Sequence, residues 1–192
     1  MASSGLWQTL TGWMRPQSLK AREFTPADAL YYEILQASRN PVLYRDFEVA
    51  DTIDGRFDAL CLLQSLVMRR LAGKEGAVKE LAQGLFDAMF QDMDLTLREM
   101  GVGDMGVGKR VKLMSEAYMG RLKHYDDAIS SGDKEALGVI LRRNLYRSDE
   151  AVSHEMILAD QIFAIADKLA GLEDDDFLQG RIEQHHLAFM AV

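Results

Sequence analysis

The chain carries a single cysteine, Cys61, among 192 residues. That excludes a disulfide framework and a cysteine-based zinc site, and it points to a reducing compartment. Proline is nearly as scarce. Pro16, Pro26 and Pro41 are the three, all in the first quarter, so the rest of the chain can run in long unbroken helices. No stretch reaches the roughly 20 apolar residues that a membrane-spanning helix needs. The most apolar run, Ala59 to Met68, is short and is followed by Arg69 and Arg70. The start lacks a basic block followed by an apolar one, so no secretory signal is expected. Positive charge is in the minority, 22 Lys and Arg against 30 Asp and Glu for a net charge of -8. This argues against a broadly basic nucleic-acid binder, and DNA is not an expected partner. Two-residue hydrophobic alternation is also missing beyond a few positions, which removes the sheet classes.

What is present reads as helix. The length suits one domain with its own core, and the expected fold is all-α, a compact bundle of about six to eight helices. Residues 1–24 stand apart as an amphipathic tail: Leu6, Trp7, Leu10, Trp13 and Met14 recur at helical spacing, and no acidic residue precedes Glu23. Such a segment suits a bilayer surface or a docking partner; the plainer reading is a tail folded back on the core. A helical domain is expected over 25–171, and an acidic C-terminal segment over 172–192. Thr25-Pro26 opens the first helix, with Asp28 in its first turn, and Asn40-Pro41 closes it. Asp51 is the expected N-cap of the next. From Arg56 to Leu71 apolar residues cover most of the circumference, the mark of a central helix. Stripes at steps of three and four follow over Val78–Met100 and Val111–Ile129, then shorter ones from about Asp133 to Tyr146 and after Ser148.

Several catalytic patterns fail on context. Gly101, Gly103 and Gly106 fit G-x-G-x-x-G, and Gly103 to Lys109 fits G-x-x-x-x-G-K. A phosphate loop needs a strand before it and Ser or Thr after the lysine. Here a helix precedes it and Arg110 follows, so a glycine-rich turn between helices is expected. The four histidines make no H-E-x-x-H, and no E-x-x-H pair supports a carboxylate-bridged di-iron bundle. Asp92, Asp94 and Glu99 share a helix, but Asp94 is better matched with Arg98 one turn on. Cys61 sits on an apolar helix as a core residue. No catalytic set, cofactor or metal is expected, and the chain is not read as an enzyme.

Charge and glycine concentrate in Asp51-Thr-Ile-Asp-Gly-Arg-Phe-Asp58 and in Asp92-Met-Asp-Leu-Thr-Leu-Arg-Glu-Met-Gly-Val-Gly-Asp104, which continues into Lys109, Arg110 and Lys112. By physics alone these are caps, ion pairs and a loop. With Phe86-Asp87, Val107-Gly-Lys-Arg-Val-Lys112 and Gly120-Arg121, and with Tyr32 and Arg39–Asp46 before them, they resemble the ubiquinol–cytochrome c chaperone family over roughly residues 30 to 146. The resemblance implies an assembly factor for the cytochrome bc complex that binds newly made cytochrome b. In mitochondria such proteins work near the ribosome exit site with a small partner. The compact length is similar to the short bacterial form, which implies a cytoplasmic protein, peripheral at the inner membrane through Leu6, Trp7, Leu10 and Trp13, or a matrix protein in a eukaryote.

On this reading the expected partner-binding residues are Asp51, Asp54, Arg56, Asp92, Asp94, Arg98, Glu99, Asp104, Lys109, Arg110, Lys112 and Arg121. The basic group Lys109, Arg110, Lys112, Arg121 and Lys123 suits acidic loops, lipid headgroups or ribosomal RNA, against the plainer reading of a solvated helix face. Eleven methionines, among them Met89, Met93, Met100, Met105, Met114 and Met119, suit either core or an adaptable client surface. A non-catalytic helical scaffold or regulatory module is the alternative function.

Overall fold

A computed structural model describes residues 24–192 of the chain; Leu6, Trp7, Leu10 and Trp13 lie outside the described residues. The elements are α1 (Pro26–Ser38), α2 (Pro41–Arg45), α3 (Ile53–Leu71), α4 (Ala77–Glu99), α5 (Asp104–Ser131), α6 (Lys134–Asn144), α7 (Glu155–Ala170) and α8 (Asp174–Leu178), with a 3-10 turn at Gln184–His186. Among the described residues there is no strand, and the all-α bundle is as expected.

Local chemistry sets most boundaries. Thr25 and Asp28 form a reciprocal capping box ahead of Pro26, which opens α1. The Asn40 side chain then accepts from the Val42 N–H to start α2. Thr52, not Asp51, caps α3, accepting from Gly55 N–H at 3.1 Å. Asp51 instead pairs with Arg56 at 2.6 Å. Gly55 is required where it stands, because a Cβ there would lie 2.0 Å from the Ala50 carbonyl oxygen.

Every residue of α3 from Phe57 to Val67 is buried, and α1, α4, α5 and α7 pack around it. This is the central helix the sequence pattern predicts. Inside it, Ser65 donates to the Cys61 carbonyl at 2.7 Å, and Gln64 Nε2 donates across to the Leu85 carbonyl of α4 at 3.4 Å. Burial pushes the Cys61 thiol up to about 12, as suits an inert core cysteine.

Two expectations about boundaries change. The glycine-rich bend is shorter than the sequence suggests: α4 ends in a Schellman turn, Val102 N–H to the Leu97 carbonyl at 3.0 Å and Gly101 N–H to Arg98 at 2.9 Å, with Gly101 at φ 80°. Gly106, Gly108, Lys109 and Arg110 then lie inside the opening turns of α5, so both phosphate-loop patterns start in the turn and end in helix. The helix expected after Ser148 starts only at Glu155. Arg147 adopts φ 52°, and Ser148 turns back on Glu150, its hydroxyl accepting from the Glu150 N–H at 3.0 Å, which holds the intervening residues out of the helix. The C-terminal stretch closes the bundle, with Phe177, Ile182, Leu187 and Phe189 buried in the same core.

Candidate functional site

A groove of about 490 Å³ opens where the first turns of α3, the last turns of α4 and one flank of α5 meet. Each helix contributes by its own periodicity. Ile53, Asp54 and Phe57 come from α3; Met93 and Leu97 from α4, with Met100 at its C-cap; Arg110, Leu113, Met114, Ala117 and Arg121 from α5. Arg147 reaches in from the α6–α7 loop. The floor is apolar, with Phe57, Met93 and Leu97 buried, while Leu113 stands 55% exposed at the mouth. Charges form the rim.

One ion network fixes the wall. The Asp58 carboxylate is wholly buried; it accepts from Arg121 at 2.5 Å and from Arg147 Nε at 2.6 Å. Arg147 also donates to Asp54 at 2.9 Å. Asp54 and Asp58 stand one turn apart on α3, so a single guanidinium bridges both. The left-handed backbone at Arg147 aims its side chain down onto α3. A buried carboxylate without such partners is strongly destabilising, so the network holds the α6–α7 loop, α3 and α5 in one arrangement. The Arg121 guanidinium also lies 5.8 Å from the Phe57 ring centroid.

Several residues singled out from sequence gather here. Asp54, Arg110 and Arg121 line the groove. Arg98 pairs with Asp94 at 2.6 Å, as the spacing predicts, and also with Asp104, pinning the start of α5 to the end of α4. Asp51 and Arg56 pair beside the α3 cap, with Arg56 over the Tyr44 ring at 5.4 Å. Glu99, Lys109 and Lys112 are exposed, and Lys112 lies 3.9 Å from Glu116. Asp92 is a correction: it is buried and accepts from the Tyr31 hydroxyl at 2.8 Å, so it joins α1 to α4 rather than facing a partner. Arg121 turns inward to Asp58 and leaves the basic face to Lys109, Arg110 and Lys112. Sequence reasoning missed Arg147 and the role of Asp58. A lone carboxylate in the apolar stretch of α3 was a signal for Asp58, whereas nothing local marks Arg147.

The methionines divide between the two readings. Met89 and Met93 are core; Met100 and Met114 line the groove half-buried; Met105 and Met119 are exposed. Among the described residues, no group of three or more His, Cys, Asp or Glu is placed to hold a metal ion, and no helix is long and apolar enough to cross a membrane.

The family model described as "Ubiquinol-cytochrome C chaperone" matches residues 45–185. The chain belongs to the ubiquinol–cytochrome c chaperone family. The match takes in the whole groove, and it runs about forty residues beyond Tyr146, where the sequence motifs gave out. It begins after Tyr32 and most of Arg39–Asp46. A solved structure described as the Cbp3 homolog from Brucella abortus is similar, with a TM-score of 0.76 and 34% sequence identity. The likeness covers 82% of this chain and 87% of that one. No curated protein matches. Family and fold together give the chain a chaperone role toward the ubiquinol–cytochrome c complex.

Proposed function

We propose that this ubiquinol–cytochrome c chaperone binds newly made cytochrome b before its assembly, and that the groove between α3, α4 and α5 receives an apolar helix of that client. The observation that carries the reading is the groove itself. It has an apolar floor with Met93, Met100 and Met114 in it, opens to solvent beside Leu113, and is held rigid by the Asp58 network. Unbranched thioether side chains repack against varied apolar partners, and a helix laid into an apolar groove is a common recognition mode. The rim charges Asp54, Arg110 and Arg147 meet the polar ends of such a segment and set its register. The exposed Lys109, Arg110 and Lys112 also suit a contact near the ribosome exit, where RNA phosphate is dense.

The test is an affinity pull-down from membranes solubilised in mild detergent. Leu113→Asp sits at the mouth, where little packing is lost. It is expected to reduce cytochrome b recovery at least about tenfold, the cost of 1.4 kcal/mol or more at one hot spot, with the melting temperature unchanged. The charge-reversed Lys109/Arg110/Lys112 variant should recover less cytochrome b at low salt, and raising salt should weaken recovery by the wild type but not by the variant. Recovery of a soluble partner in place of cytochrome b would overturn the reading and favour a scaffold.

A further inference from the structure

A second apolar groove lies on the opposite flank of α5. Met119 and Leu122 face away from Leu113 and Ala117 on that helix, and with Met68, Ala82 and Phe86 they bound about 700 Å³. Met119 stands 51% exposed on its wall. Being a different surface, this groove does not depend on the client reading above.

The chain's own N-terminal side leads to it. Ala27 packs against Gly84, where a side-chain carbon would come within 3.0 Å of the alanine methyl. Tyr31, one turn on, bonds Asp92, two turns on. So α1 runs parallel to α4, and its first residues sit beside the turn Glu80–Gly84. Glu80 and Gln83 of that turn line the groove. Phe24, just ahead of α1, is itself exposed.

The residues before Phe24 fit what they would meet. Leu6, Trp7, Leu10, Trp13 and Met14 make an apolar stripe containing both tryptophans of the chain, and Arg15, Lys20 and Arg22 follow with no acidic residue before Glu23. The outer face of α4 presents exposed Glu80 and Asp87 two turns apart, with Lys79 at the groove edge paired to Glu75 at 3.5 Å. Residues 15–23 extend to about 30 Å at most, well beyond the roughly 8–10 Å between packed helices. A tether that short gives an effective concentration on the order of millimolar.

We infer that this second groove is the receptor for the chain's own N-terminal segment. Residues 6–14 lay their apolar stripe against Phe86 and Met119, and Arg15, Lys20 and Arg22 cross the acidic outer face of α4. The segment covers an apolar surface that would otherwise stand open across α5 from the client site.

Both tryptophans report on this directly in the full chain. The expected result is blue-shifted emission, shielded from acrylamide at every protein concentration. Met119→Glu, and separately R15E/K20E/R22E, return emission and quenching to the urea-denatured values, whereas Leu95→Glu, outside the groove, leaves them alone. Circular dichroism and melting of Met119→Glu verify the fold, and the tail variant leaves the domain untouched in any case. Solvent-exposed emission in the wild type overturns the inference, as does a blue shift that both variants leave intact. Shielding lost on dilution assigns the groove to a second copy, and shielding seen only with phosphatidylglycerol vesicles assigns the segment to a bilayer. Either result also overturns it.

Discussion

Helices α3 and α5 touch along much of their length, yet they are built on opposite terms. In α3, of 19 residues, thirteen are buried and they go all the way round. In α5, of 28 residues, only Val107, Tyr118, Tyr125, Ala128 and Ile129 are. The longer helix thus contributes less to the core and more to the surface, with one flank on each groove. The apolar pattern already distinguished them, running round most of α3 but forming a single stripe on α5. The difference lies in what surrounds each, and it divides the molecule into a helix that holds the fold and a helix that presents it.

That contrast gives graded predictions. The largest effect is expected at Asp58. Its replacement by Ala strands Arg121 beside an apolar wall and should cost about 3–5 kcal/mol, read as a drop in the urea midpoint. Asp54→Ala, on the exposed end of the same network, should stay within about 1 kcal/mol. Equal losses would mean that the burial of Asp58 does not set its weight in the network. Next, Leu62→Ala in the fully buried part of α3 should cost about 2–5 kcal/mol, whereas Leu113→Ala on α5 should cost under about 1 kcal/mol. Matching denaturation curves for the two would erase the distinction between the helices.

An acid-sensitive contact lies away from both. Hydrogen bonds from Arg142, chiefly, and from the Val152 N–H hold the Glu155 carboxyl below the usual glutamate range. A depressed folded-state value means that its contribution is complete above the ordinary value near 4.5. It is lost as pH falls through the lower folded value. Urea midpoints taken from pH 7 downward should fall in that acid window for the wild type, and Arg142→Ala should flatten the dependence. An unchanged slope would remove Glu155 from the acid response. The smallest effect belongs to α5. A Cβ at Gly108 or Gly120 meets open space, so Gly108→Ala and Gly120→Ala should each stabilise by about 0.5–1 kcal/mol. Destabilisation in thermal melts would show that α5 needs those glycines for more than local shape.

Much of this was legible in advance. The start of α1 at Thr25-Pro26, the central helix, the Asp94–Arg98 pair and the buried Cys61 all follow from spacing and residue type. Each is decided within about a turn of chain, where local sterics and hydrogen bonding act. The family likeness was also visible, because its motifs are contiguous. The groove was only half visible. Asp54, Arg110 and Arg121 were singled out for their charge, but the apolar liners looked like any other stripe residues, and Asp92 looked like a surface carboxylate.

By itself, then, the sequence determined the helical class, most boundaries and the family, all of which rest on short-range periodicity and local motifs. Only the tertiary structure decided which stripe faces the core and which stays open, that Asp92 turns inward to Tyr31, and that Arg147 crosses 89 residues of chain to Asp58. These are long-range choices. They depend on which helices pack side by side, and a charge or a methyl group becomes structural or available only once its neighbours from distant segments are in place.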